Sequence, residues 1–307
     1  QAVWATGRAE LAMSTLLDNV KHNPAFPYNY KLMTRWKVQT GNVGDAMRWI
    51  KALRKLEPDS PSHWGDFGGE CYLYQLLDDK EAAFECYSEY VQAYPDSLNA
   101  KPGLAEREAI QAGEVPDASH VGIMRSQRAL DVFRAQVAEE PRNGYRANQL
   151  CFQLEQAEEY AELIEVMKVA FPELFNESPV VSGATTWSAM MTAHALQKVG
   201  DTQQSVRLLN AIDQAISGIR LIAGPGFTNG IENVEVAALR GNKEEALDGL
   251  RRAIDQNWRF TWDWMPINQY LDSIRDDPRY QDMFAELKAD IARQRVWYYR
   301  NQDLPLY

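Results

Sequence analysis

The sequence has little of what catalytic and metal-binding sites need. It contains three cysteines and four histidines, and it has no HExxH, GxSxG or CxxC motif. Without these spacings, neither a zinc centre nor an activated nucleophile is predicted. We therefore expect no catalytic residue, no metal ion and no cofactor, and we expect that the protein is not an enzyme.

Long apolar runs and an excess of positive charge are also missing. No stretch approaches the roughly 18 consecutive apolar residues of a membrane span. The net charge is −11, from 43 acidic and 32 basic residues, whereas nucleic-acid-binding proteins need a basic surface. We expect this chain neither to insert into a membrane nor to bind nucleic acid. No secretory signal is present, so the compartment, cytoplasmic or periplasmic, stays open.

The cysteines are too few for a disulfide framework. Cys71, Cys86 and Cys151 cannot all be paired, and we expect free thiols packed in the core. The sequence leaves open whether Cys71 and Cys86 are bridged.

What the sequence does contain is a repeat that ends in proline. Pro58 follows Pro24 by 34 residues, and a similar turn signal precedes an apolar helical pattern in three places: residues 41–46, 78–83 and 241–246. A period of roughly 34 residues with a central turn is typical of stacked helical hairpins. We predict an all-α solenoid of about seven hairpins in a right-handed superhelix, without β-strands.

The repeat can be followed along most of the chain. Units are predicted to end at Pro58, Pro95, Pro141 and Pro172, and two further hairpins turn at residues 200–201 and 241–242. Residues 112–116 are predicted to form a long loop within one hairpin, and residues 224–230 a wide turn between hairpins. We assign residues 1–258 to the repeat array and 259–307 to a capping helix with an aromatic tail.

The first hairpin is predicted to be incomplete. Residues 1–6 have room only for the end of a first helix, so the array starts within a hairpin. Leu11 and Leu16 should then lose their cover, which another copy, a partner or an upstream segment would supply. We interpret the chain as part of something longer at its N-terminus, with a possible homo-oligomer through that end.

The pattern of apolar and charged residues near the C-terminus predicts one amphipathic helix. Tyr280, Met283, Phe284, Leu287 and Ile291 define a single apolar face, which is expected to cover the end of the array. The aromatic run at residues 296–299 either packs back on the array or forms a patch that docks a partner.

Two resemblances follow from these residues. Trp64, Phe67, Gly68 and Cys71, followed by Ala83, Tyr87 and Pro95, resemble the two helices of the tetratricopeptide repeat (TPR) family. Residues 246–290 resemble the C-terminal end of bacterial signalling proteins that carry an N-terminal winged-helix or class III nucleotide cyclase effector. These resemblances imply a sensory or protein-interaction module, with no catalytic residue in this chain.

In TPR-like arrays the first helices of the hairpins line a concave groove, where a partner segment usually lies. Counting back from the turns gives the candidate ligand- or peptide-binding residues Tyr28, Lys31, Arg35, Gln39, Tyr72, Trp187, Met190 and His194. The alternative to a binding role is that Lys31 and Arg35 form a solvated pair and that Trp187 and Met190 belong to the core.

The cationic pair suggests what the groove would bind. Lys31 and Arg35 are four residues apart and could hold a carboxylate or a peptide C-terminus. We therefore expect a protein or peptide partner. The alternative function is a receptor that holds a small molecule or peptide in the groove.

Overall fold

A computed structural model describes residues 8–60, 69–98, 100–114, 125–223 and 230–306, and over these residues it contains helices and no strand. The α-helices are α1 Ala9–His22, α2 Pro27–Gln39, α3 Val43–Leu56, α4 Glu70–Leu76, α5 Lys80–Ala93, α6 Ala100–Gln111, α7 Gln127–Glu139, α8 Gly144–Gln156, α9 Tyr160–Ala170, α10 Thr186–Lys198, α11 Thr202–Ala223, α12 Glu232–Leu239, α13 Lys243–Asp255, α14 Asp272–Arg275 and α15 Pro278–Asn301. Short 3₁₀ turns span Pro172–Phe175, Trp262–Trp264 and Gln269–Leu271. The prediction of an all-α fold built from helical hairpins is confirmed for these residues.

The hairpin turns share one backbone conformation. Gly41, Gly200 and Gly241 have φ values of 76°, 89° and 77°, in the left-handed region that glycine enters without steric cost. After Gly41, the amide of Asn42 donates to the carbonyl of Lys37 at 2.8 Å, which satisfies a carbonyl at the end of α2. The periodic glycines of the sequence therefore mark real helix ends.

Several predicted segments lie outside the described residues. These are residues 1–7, the 224–229 part of the glycine-rich turn, the end of the 112–116 loop, and Trp64, Phe67 and Gly68 of the TPR pattern. The described part of the 112–116 loop is confirmed, since α6 ends at Gln111 and residues 112–114 form a turn and a bend.

The chain divides into two compact units. Unit 1 comprises residues 1–90 and 219–307, and unit 2 comprises residues 91–218. The predicted boundary at residue 258 lies inside unit 1, because residues from both ends of the chain pack together there. In unit 2, α6 to α10 and most of α11 enclose a core that includes Leu150, Leu154 and Met167.

Helix α15 packs along α3 within unit 1. The side chain of Gln294 donates to the carbonyl of Gly41 at 2.8 Å and accepts from the amide of Gly44 at 3.2 Å. A Cβ atom on Gly44 would lie 2.8 Å from the carbonyl oxygen of Gln294, so glycine is needed for this close approach. The capping helix thus covers the second hairpin of the chain as well as its own neighbour α13.

The aromatic run at residues 296–299 packs back on the fold. Tyr298 is buried, and the hydroxyl of Tyr299 donates to Asp79 at 2.5 Å. The ring of Trp297 lies beneath the guanidinium of Arg48, at 5.6 Å from the ring centroid, although 42% of this tryptophan is still exposed. The first alternative therefore holds for Tyr298, whereas Val296, Trp297 and Tyr299 remain partly at the surface.

The N-terminal helix agrees with expectation in part. Leu11 is 51% exposed, as an incomplete hairpin predicts, but Leu16 is buried. The expectation was wrong for Leu16 because its side of α1 packs against α2 and the core of unit 1.

The structure also corrects the prediction of free thiols. Cys71 in α4 and Cys86 in α5 form a disulfide with a Cα–Cα distance of 5.3 Å. Cys151 is free and buried, and burial raises the pKa of its thiol well above the ordinary range. Sequence spacing alone could not show this pairing, because it depends on how the two helices of one hairpin face each other.

Loss of the disulfide should destabilise unit 1. The bond closes a loop of 15 residues, for which the restriction of the unfolded chain is worth about 3 kcal/mol. Urea unfolding of the Cys71→Ala/Cys86→Ala variant should show a loss of that order.

Alkylation supplies the control for the disulfide. Iodoacetamide added to the oxidised protein in urea should give one adduct, at Cys151, in the intact mass. Three adducts without reductant would contradict the disulfide.

Candidate functional site

Three of the predicted site residues share an exposed face of α2. Tyr28, Lys31 and Arg35 follow one another at helical spacing, and all three are exposed, with Tyr28 at 49%. Gln39, one turn further on, is half-buried. We call Tyr28, Lys31 and Arg35 the α2 face. In the structure these side chains face solvent because the core side of α2 is formed by Tyr30, Met33 and Trp36, among others.

The α2 face combines positive charge with aromatic surface. No side chain in the described part of the chain forms an ion pair with Lys31 or Arg35. By contrast, Lys37, on the opposite side of α2, lies 2.7 Å from Asp45. Phe26, 47% exposed, places its ring 6.2 Å from that of Tyr28. The α2 face therefore offers one ammonium group and one guanidinium group, and the rings of Tyr28 and of the neighbouring Phe26 lie beside them.

Tyr72 lies elsewhere in unit 1. Its ring packs edge-on against Phe260, with 6.2 Å between centroids. The hydroxyl oxygen is buried, and burial together with the negative charge of Asp263 raises the pKa of Tyr72 well above its ordinary value. The structure thus places Tyr72 against the core of unit 1 rather than on the α2 face.

The remaining candidates belong to unit 2. Met190 and His194 are 1% and 2% exposed, so neither reaches the surface. Nδ1 of His194 lies 2.8 Å from Oε1 of Glu155, which is also buried, and the ring of Tyr160 stands edge-on to the imidazole at 5.6 Å.

Trp187 is half-buried and packs on Phe152 at 6.1 Å. It is the one member of the unit 2 group with exposed surface. The two groups that the sequence assigned to one groove occupy two units with different surroundings.

Sequence reasoning missed a small pocket in unit 1. Its volume is about 150 Å³, and the ion pair between Lys37 and Asp45 forms its polar wall. Its lining residues are Met13, Ser14, Leu17, Met33, Lys37, Asp45, Trp49 and Leu306. No sequence pattern could reveal this pocket, because Leu306 comes from the opposite end of the chain.

Other kinds of site find no support in the described ranges. Within them, no three His, Cys, Asp or Glu side chains are grouped so that they could hold a metal ion. The same ranges contain no helix with the length and apolar character needed to cross a membrane.

Comparison with known proteins finds similarity only among solved structures. No family model matches the sequence, and no curated protein matches it. A crystal structure of the APC/C hetero-tetramer Cut9–Hcn1 superposes with a TM-score of 0.48 and 12% sequence identity, over 93% of this chain and 47% of that one. The chain thus spans about half the length of this structure, and similarity at this level carries no conclusion about function.

The buried pair in unit 2 makes a testable prediction about stability. His194→Leu removes the partner of a buried carboxylate at Glu155, which should lower the free energy of unfolding by about 2–4 kcal/mol. The double variant Glu155→Leu/His194→Leu should lose less than the sum of the losses of Glu155→Leu and His194→Leu, because the two side chains are in direct contact. Urea unfolding measures the two single variants and the double variant, and a double variant that loses the sum of the two single losses would contradict this account.

Proposed function

We propose that this chain is a non-catalytic module that binds a protein or peptide segment, and that the α2 face is its contact surface. The observation that carries the proposal is the presence of Lys31 and Arg35 on one exposed face, without an ion pair from the described residues and beside the rings of Tyr28 and Phe26. Helical-hairpin arrays typically present such surfaces to partner segments.

The chemistry of the α2 face defines the partner. Arginine and lysine bind carboxylates through charge-assisted hydrogen bonds, and exposed aromatic rings add large apolar contact area. The preferred ligand is therefore an extended segment that carries acidic residues next to an aromatic residue. Binding of this kind weakens as salt is added, since exposed charges are screened.

We further propose that the module works as the sensory or interaction part of a larger signalling protein. Support comes from the resemblance of residues 246–290 to the C-terminal end of bacterial signalling proteins. The disulfide between Cys71 and Cys86 favours an oxidising compartment for these residues, because structural disulfides are rare in the cytosol.

The alternative, a receptor for small molecules, has less support. Ligand pockets for small molecules usually have volumes of about 300–1,000 Å³, whereas the pocket beside Lys37 and Asp45 has about 150 Å³. That volume suits one or two side chains better than a whole ligand. The buried state of Met190 and His194 also leaves them without access to a ligand at the surface.

Charge reversal on the α2 face tests the proposal. The intact protein is used to select binders from a random peptide library displayed on phage, and enriched peptides are synthesised with a fluorescent label. We expect acidic and aromatic residues among them. Lys31→Glu/Arg35→Glu should weaken their binding about 10- to 100-fold, or about 1–3 kcal/mol, while the free energy of unfolding changes by less than about 0.5 kcal/mol.

A matched control separates local from overall charge. Lys80→Glu/Lys101→Glu makes the same change in net charge at two exposed lysines that are not part of α2 and should leave peptide affinity nearly unchanged. The proposal fails if both double variants weaken binding equally, or if neither does while Trp187→Ala abolishes it.

A further inference from the structure

The last residues of the chain run along the surface of unit 1 after α15 ends. The guanidinium of Arg48, in α3, donates from one nitrogen to two consecutive backbone carbonyls, those of Leu304 at 2.9 Å and Pro305 at 2.6 Å. Leu306 then reaches the pocket and forms part of its wall. These contacts hold residues 304–306 on the surface formed by α1, α2 and α3.

Arg48 is built into the fold as a fixed donor. Its side chain is only 9% exposed, and its Nη1 atom lies 3.3 Å from the carboxylate of Asp45. The guanidinium also lies over the ring of Trp297, so it is held from two sides. Its Nε atom is buried and has no hydrogen-bond partner among the described residues. A buried guanidinium in this position needs acceptors, and backbone carbonyls supply them here.

The contacts of Arg48 are made to the backbone of the bound segment, and only the pocket contacts one of its side chains. Carbonyl groups occur in every peptide, so Arg48 recognises a backbone path in which two consecutive carbonyls point to the same side, rather than the sequence of the segment. Proline suits such a path because its φ angle is fixed and it has no amide hydrogen to satisfy. Selectivity then comes from the residue after the proline, since the side chain of Leu306 lines the pocket together with Met13, Leu17 and Met33.

We propose that this surface is a second peptide-binding site, distinct from the α2 face, which takes a partner segment in which a proline is followed by an aliphatic residue. The chain's own residues 304–306 occupy the site and act as an internal competitor. A partner segment must displace them, so affinity for the partner depends on how firmly the tail is held. The inference does not depend on the α2 face, because it uses different residues and a ligand that needs no acidic group.

A peptide copied from the tail tests the proposal directly. The probe is a fluorescein-labelled peptide with the sequence of residues 301–307, and its binding is followed by fluorescence polarisation. A chain that ends at Asn301, with its fold checked by circular dichroism and thermal unfolding, should bind the probe at least tenfold more tightly than the full chain. The same probe with serine in place of the residue equivalent to Leu306 should bind at least tenfold more weakly to the shortened chain.

Variants on α3 identify the donor. In the shortened chain, Arg48→Gln should weaken binding of the probe at least tenfold. Arg54→Gln removes the same charge from the same helix but away from the tail, where Arg54 pairs with Glu70, and it should leave binding nearly unchanged. Equal loss in both variants would show that only net charge matters and would overturn the proposal.

A full-length variant covers the case in which the shortened chain does not fold. Leu306→Ser keeps every residue but weakens the hold of the pocket on the tail, so it should bind the probe at least threefold more tightly than the unmodified chain. The proposal is overturned if the probe binds no form of the chain, or binds the full and shortened chains equally. It is also overturned if the full chain is a dimer that becomes a monomer without the tail, since the tail would then bind another copy.

Discussion

The contact between α3 and α15 is the interaction on which the rest of unit 1 depends. It is made possible by Gly44, where any side chain would collide with the backbone of α15, and it is fixed by the two hydrogen bonds of Gln294. This contact brings Trp297 beneath Arg48 and carries the last residues of the chain toward the pocket. The same helix pair thus connects the packing of unit 1 to its second candidate binding surface.

The local part of the fold could be predicted from the sequence, because it depends on residues that are close together in the chain. Periodic glycines and prolines mark helix ends for steric reasons that act within a few residues, and apolar positions at helical spacing define the buried faces. The exposed positions of Lys31 and Arg35 followed from the same periodicity. Such signals need no knowledge of tertiary structure.

What could not be predicted depends on contacts between distant residues. The hydrogen bond from the indole of Trp262 to the carbonyl of Leu76, at 2.8 Å, joins residues 186 positions apart, and no repeat pattern records it. The burial of His194 was missed for a related reason, since its partner Glu155 lies on another helix. A histidine that faces the groove and a histidine that faces the core can lie at the same distance from a hairpin turn in the sequence, so this distance does not distinguish them.

The two proposed surfaces differ in what they recognise. On the α2 face, exposed charges and rings would select the composition of a partner, whereas the guanidinium of Arg48 binds backbone carbonyls and leaves selection to a small pocket. Both surfaces belong to unit 1, in which α3 is joined to α15 through Gln294. The account therefore depends most on whether the two ends of the chain meet.

Photo-crosslinking from residue 297 tests most directly whether the two ends of the chain meet. With p-benzoylphenylalanine in place of Trp297, irradiation of the intact protein should join residue 297 to a peptide from residues 43–56 of the same chain, identified by mass spectrometry after digestion. The account predicts this link at the mass of a monomer, because the ring of Trp297 lies against Gly44 and Arg48. Links that reach only α13, α14 or α15, or only a second copy of the chain, would contradict it.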